Sequence, residues 1–180
     1  TRMRSKLPKV LHKVCGTAMV EHVIDEVEKI HIPKTIIVIG HAADQVKNAL
    51  CCRTVQFAMQ DKQLGTGHAV MQSIDKLPDE GVVLLLCGDT PLITGETLKK
   101  LIQFHRLGEY QMSVLASKIK DPTGYGRIIR NEKGDLLKIV EHKDADDFQK
   151  KIQEINSGMY CCDANLLKKA IKELDNDNRQ

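Results

Sequence analysis

The sequence predicts an α/β protein built on an open, mostly parallel, Rossmann-like sheet, with a β-rich second half. Three observations predict it. Residues 35–39 (TIIVI) and 82–86 (VVLLL) are short, wholly apolar runs, which suits strands covered on both faces. Segments with helical spacing of apolar residues alternate with these runs, the order expected of right-handed strand–helix–strand crossovers. From Gln111 onward the texture changes to strand after strand.

Taken in order, residues 17–30 carry Val20, Val23, Ile24, Val27 and Ile30 on one helical face, with Thr17 as the N-cap and Gly16 breaking what precedes. Pro33 ends the next turn, ahead of the strand at 35–39. A short helix is expected over 43–50, a strand over 55–59 and a helix over 67–77. The strand at 82–86 leads to a helix over 94–107, with a threonine cap and Glu96 in its first turn. Residues 112–117, 126–130 and 136–140 read as strands, the last two joined as a hairpin across 131–135. A polar helix over 144–151, a strand over 155–161 and a closing helix over 164–174 complete the chain. No repeat or linker divides the 180 residues, so one domain is expected.

With 42% hydrophobic and 28% charged residues the chain can bury a sizeable core. Aromatics at 3%, with no Trp, argue against binding single-stranded nucleic acid by stacking. A net charge of +3 is too small for a duplex-binding face. No apolar run reaches the roughly 20 residues that span a bilayer, and the basic start has no apolar segment behind it to make a secretory signal. The six cysteines (15, 51, 52, 87, 161 and 162) form two adjacent pairs and two singletons, without a CxxC pattern. Reduced, mostly buried thiols in a cytoplasmic protein are expected, rather than a zinc or disulfide framework.

Ligands of open α/β sheets bind beyond the carboxyl ends of the strands. Asp89 follows the run at 82–87 after one glycine, so it belongs at such an end. It reads either as a ligand for Mg²⁺, completed by substrate phosphates and water, or as the cap of the next helix. Leu64-Gly65-Thr66-Gly67 precedes a helix and is either an ordinary turn or a loop whose N–H groups meet an anion or a base edge. Gln60 and Gln63 carry amides that can read a pyrimidine edge or simply face water. Arg2 and Lys9 flank a short basic loop. Two cations there can neutralise phosphoryl oxygens, which is most of what nucleotidyl transfer requires, or they can be a solvated basic terminus.

The segments TRM…LPKVLH, QLGTGHA, GDTPL, DPTGYGRI, VEHKDA and QEINSG occur in this order along nearly the whole chain. On them the chain resembles the uridyltransferase (pyrophosphorylase) domain of the bacterial bifunctional UDP-N-acetylglucosamine pyrophosphorylase and glucosamine-1-phosphate N-acetyltransferase. TRM with LPK, and GDxPL, are shared across sugar nucleotidyltransferases, whereas QLGTGHA combined with EHKDA and QEINSG is narrower. The resemblance implies a nucleotide-diphospho-sugar transferase fold, with a nucleotide-binding half over about 1–110 and a sugar-binding half over about 111–180. It implies Mg²⁺-dependent transfer from UTP to N-acetylglucosamine 1-phosphate, giving UDP-N-acetylglucosamine and pyrophosphate. Arg2 and Lys9 match the catalytic basic positions, Gln60, Gly65 and Thr66 the nucleotide site, and Asp89 the metal ligand. Gly126, Glu141 and Asn156 match positions that hold sugar and ribose hydroxyls.

Two features of the family lie outside this sequence: a pair of glycines before TRM and a second metal ligand, an asparagine, further downstream. The chain is therefore expected to be a piece of a larger enzyme, whose C-terminal β-helix domain would make it a homotrimer. Cys87 stands where some relatives carry tyrosine. The alternatives are a related sugar-1-phosphate nucleotidyltransferase of other specificity, or a nucleotide-sugar-binding fragment without turnover. Neither a nucleic acid nor a membrane is expected as partner.

Overall fold

The structure, a computed structural model, describes residues 5–62 and 64–173. A 3-10 turn at Lys9–Leu11 leads into a small hairpin of β1 (Lys13–Val14) and β2 (Thr17–Ala18), with Val14 opposite Thr17. Its two-residue loop, Cys15-Gly16, has φ of 51° and 87°, the doubly positive geometry that matches hairpin twist. This corrects the expected cap. Thr17 is spent in the ladder, and α1 (Met19–Lys29) begins two residues later behind Ala18. An alanine side chain accepts nothing, so Glu21 accepts the Ala18 N–H at 3.1 Å instead. The expected apolar face is buried through Val20, Val23, Ile24 and Val27.

Next come β3 (Ile36–Ile39), α2 (Ala43–Ala49) and β4 (Gln56–Met59). The two strands pair in parallel from Ile36 opposite Gln56 to Ile39 opposite Met59, the crossover the sequence predicts. Leu11, Ala18, Val20, Ile24, Ile39, Val46 and Leu50 pack as one core beneath them. Then α3 (Thr66–Met71) is followed by a separate 3-10 turn at Ile74–Lys76, where one helix to residue 77 was expected. The Ser73 hydroxyl donates to the Val70 carbonyl at 2.8 Å, a local bond that competes with helix continuation.

The chain continues as β5 (Val82–Leu85), α4 (Gly95–Leu107), β6 (Met112–Lys118), β7 (Arg127–Arg130), β8 (Leu136–Val140), α5 (Asp147–Lys150), β9 (Glu154–Asp163) and α6 (Ala164–Lys172). The polar helix is shorter than expected because Asp146 caps it, accepting the Phe148 and Gln149 N–H groups. β7 and β8 form the expected hairpin. β9 organises this half: β6 lies along one edge, while β7 near Ile155 and β5 from Tyr160 to Asp163 share the other. The α/β class holds, but parallel pairing is confined to β3 and β4. Every other strand pair among the described residues is antiparallel: β1–β2 and β7–β8 are hairpins, and β9 runs against all three of its neighbours.

The six cysteines are free thiols, but they are not mostly buried. Cys15, Cys51 and Cys52 are exposed in turns and Cys87 is half-buried, leaving the strand pair Cys161 and Cys162 inside.

Candidate active site

β5 delivers Cys87, Gly88 and Asp89 to its carboxyl end. A Cβ added at Gly88 would meet Val10 Cγ1 at 3.4 Å and Val20 Cγ2 at 3.6 Å, so this turn lies directly against the basic loop. Lys9 Nζ donates to Asp89 Oδ2 there. Both side chains remain open to solvent, Lys9 at 59% and Asp89 at 30%. The capping role for Asp89 is not realised: the Thr94 hydroxyl caps α4, accepting the Thr97 N–H at 3.2 Å. Glu26 accepts the Gly95 N–H at 2.6 Å, which fixes the far end of the loop that starts at Asp89. The Lys29 ammonium, then the Gly95 N–H, hold the Glu26 carboxyl below its usual range. Arg2, the other expected cation, lies outside the described residues, as does Gln63.

Gly126, Glu141 and Asn156 come together where β7, β8 and β9 meet. Arg127 is opposite Val140, so the ladder brings Gly126 towards Glu141. A Cβ on Gly126 would sit 3.0 Å from Glu141 Oε1 and 3.2 Å from Ile139 Cγ2. The Asn156 N–H donates to the Gly126 carbonyl at 2.9 Å. Between Asn156 and Tyr160 the β9 strand bulges, because Ala116 is opposite Asn156 while Val114 is opposite Tyr160. Bulges of this kind re-aim side chains. Here the Asn156 amide donates to the Tyr160 hydroxyl at 2.7 Å and accepts the Gly158 N–H at 2.9 Å. Ser157 donates to the Leu115 carbonyl at 2.6 Å, and Gly158 takes a φ of 77°.

Cys87 joins the two groups. Its thiol donates to the Gly158 carbonyl at 3.5 Å, and a Cβ on Gly158 would lie 3.0 Å from the sulfur. Burial pushes the Cys87 thiol up, the Asp89 carboxylate adds to this, and Lys9 opposes it. Burial also pushes the Tyr160 phenol up; the Asn156 hydrogen bond opposes that, and Glu141 and Cys87 add to it. Contacts therefore run from the Lys9–Asp89 pair, through Cys87 in the same turn, to Gly158, Asn156 and Tyr160, and from Asn156 through Gly126 to Glu141.

Gln60, Gly65 and Thr66 form a separate group past the end of β4. The Gln60 amide nitrogen lies 3.3 Å from the Gly65 carbonyl and 3.0 Å from His68 Nδ1. It thus ties the loop to α3, whose first residue is Thr66. Gly65 has a φ of 97°, a conformation that favours glycine.

Two residues not singled out from the sequence shape the site. Tyr160 is one, and its role depends on the bulge, which nothing in the local sequence announces. Arg127 is the other. The residue is 1% exposed, and its guanidinium bonds the Tyr125 carbonyl, His142 Nδ1 at 3.2 Å and the Lys150 carbonyl at 3.3 Å. It sits between Gly126 in sequence and the segments carrying Glu141 and α5 in space.

A cation–carboxylate pair beyond a sheet strand, on this strand–helix order, has the architecture of nucleotidyltransferases. The fold is similar to a solved putative glucose-1-phosphate thymidylyltransferase from Bacillus anthracis, with a TM-score of 0.74 at 19% identity over 93% of this chain and 70% of that one. It is also similar to HddC from Yersinia pseudotuberculosis, with a TM-score of 0.70 at 19% identity over 94% of this chain and 72% of that one. Residues 1–154 match the MobA-like NTP transferase domain, and the chain belongs to that family. Among curated proteins it is 52% identical over 180 residues to the bifunctional protein GlmU of Clostridioides difficile (strain 630). It is 54% identical over 179 residues to the bifunctional protein GlmU of Thermoanaerobacter pseudethanolicus. The matches cover 100% and 99% of this chain, and the chain spans 39% of each relative's length.

Proposed function

We propose that the chain is the nucleotidyl-transfer part of an N-acetylglucosamine-1-phosphate uridyltransferase. The observation that carries this reading is the chain of contacts from Lys9 and Asp89, through Cys87 and Gly158, to Asn156, Gly126 and Glu141. It would place a phosphate-handling pair beside a cluster of polar groups suited to sugar hydroxyls. Identity of about half to proteins named bifunctional protein GlmU supports the same assignment. Residues of about 1–110 would hold the nucleotide and those of about 111–180 the sugar.

In the reaction a phosphate oxygen of N-acetylglucosamine 1-phosphate attacks the α-phosphorus of UTP in line. The bond to the β-phosphate bridging oxygen breaks and pyrophosphate leaves. A phosphate dianion is already a nucleophile, so no general base is needed. Lys9 faces the phosphates and takes up charge on the leaving group, with Arg2 assigned the same role. Gln60 and the backbone of Gly65 read uracil, with Thr66 beside the nucleotide. Gly126, Glu141 and Asn156 hold the hydroxyls of the sugar and ribose.

Among the described residues no three His, Cys, Asp or Glu side chains gather as a metal cage. One exposed carboxylate fits Mg²⁺, which keeps waters and takes substrate phosphates as its other ligands. Asp89 would hold that ion, whose chemistry there is neutralisation of the repelling phosphates. No helix among the described residues is long and apolar enough to cross a membrane. We place the reaction in the cytoplasm on a different ground, the free thiols of all six cysteines, which a reducing compartment preserves.

Pyrophosphate release from UTP tests the assignment. Release should require N-acetylglucosamine 1-phosphate, and glucose 1-phosphate should replace it poorly. Equal rates with the two sugars would defeat the proposed specificity.

A further inference from the structure

Two adjacent cysteine pairs occur in the sequence, and the fold treats them in opposite ways. Cys161 and Cys162 lie on β9, where successive side chains point to opposite faces, and both are buried. Cys51 and Cys52 follow α2 in a turn, where both thiols emerge on the surface with their sulfurs 3.7 Å apart.

That turn is held from both sides. Leu50, just before it, is 1% exposed within the core. Arg53, just after it, bonds Asp25 at 2.6 Å and Glu28 at 3.0 Å, both on α1. Backbone bonds from Cys51 N–H to the Asn48 carbonyl and from Arg53 N–H to the Leu50 carbonyl close the turn itself. The two thiols are thus brought together before any ligand arrives, which lowers the ordering cost of binding. Cys51 also pushes the Cys52 thiol up, chiefly through the hydrogen bond between the sulfurs.

We propose that Cys51 and Cys52 form a dithiol site for trivalent arsenicals, soft centres that take two thiolates on one atom. With an organoarsenic(III) oxide, two S–H bonds and the As–O linkage break and two As–S bonds form. The oxygen leaves as one water with both thiol protons, and arsenic stays trivalent, so no oxidant or reductant is needed. The proposal does not depend on the uridyltransferase reading.

Phenylarsine oxide added at one equivalent is the test, read by thiol titration and by peptide mapping of the adduct. The three exposed thiols, Cys15, Cys51 and Cys52, should fall to one. The adduct should survive excess mercaptoethanol but be removed by 2,3-dimercaptopropanol. Cys51→Ser and Cys52→Ser should each make it labile to the monothiol, while Cys15→Ser leaves it intact. Loss of a single thiol per arsenical in the parent chain would overturn the proposal. So would a monothiol-resistant adduct in the double Cys51→Ser/Cys52→Ser variant, or one mapped to Cys161 and Cys162.

Discussion

Asp89 and Lys9 are paired in solvent, and exposed ion pairs contribute only about 0–1 kcal/mol to stability. Asp89→Ala should therefore leave thermal melting almost unchanged while abolishing pyrophosphate release. Retained Mg²⁺-dependent turnover in that variant would remove Asp89 from the mechanism. Lys9→Ala should lower kcat by about 10²–10³, the scale of losing one charge-stabilising donor in a transition state. Gly126→Ala places a methyl group 3.0 Å from Glu141 Oε1. Steady-state kinetics should show a raised KM for N-acetylglucosamine 1-phosphate. Each of these residues sits in a short sequence motif, and the fold brings Lys9 against Asp89 and Gly126 against Glu141. Arg127 and Tyr160 were not legible in the sequence: Arg127 reads as one more basic residue, and Tyr160 meets Asn156 only because β9 bulges between them.

Among the elements, the apolar runs announced themselves as strands. TIIVI and VVLLL became β3 and β5, but only Ile39 and Val83 are buried and the other strand residues stay half-buried, so the expected cover on both faces is incomplete among the described residues. Strand direction was less legible, since pairing is decided by partners far away in sequence. The antiparallel fit of β9 between β5, β6 and β7 follows from tertiary packing rather than from any local signal. Thr17 suits a cap and a hairpin equally well, and its pairing with Val14 moves the start of α1 to Met19.

Arg127 holds β7 to α5 and to the segment after β8. Replacing it with Met should cost about 2 kcal/mol, since two carbonyls and His142 lose a donor at part-buried positions. Urea unfolding would measure this, and Arg127→Lys should recover only part of it, because a single ammonium cannot reproduce a planar fork.

The thiols of β9 set a pH limit on the same sheet. Burial raises Cys161 and Cys162 from an ordinary 9.0 to about 11. The unfolded chain then holds fewer protons than the folded one between those values, so stability present below about pH 9 should fall as pH rises towards about 11. Denaturant midpoints should drop across that window, and less steeply in a Cys161→Ala/Cys162→Ala variant. Equal slopes would mean the thiols do not govern the loss.

At the scale of the whole molecule, the chain brings together a parallel crossover unit and an antiparallel sheet centred on β9. The proposed site draws on both, with Gln60 and Gly65 beyond β4 and Asn156 and Glu141 on the β9 side. A nucleotide sugar that engages the two regions should stabilise the folded state by RT ln(1 + [L]/Kd), about 2.7 kcal/mol at a hundredfold excess over Kd. The direct measurement is a thermal-shift titration with UDP-N-acetylglucosamine and Mg²⁺, alongside UDP-glucose and GDP-mannose. A rise in Tm selective for UDP-N-acetylglucosamine is the predicted result. Equal shifts with all three ligands, or a shift with GDP-mannose alone, would contradict the account.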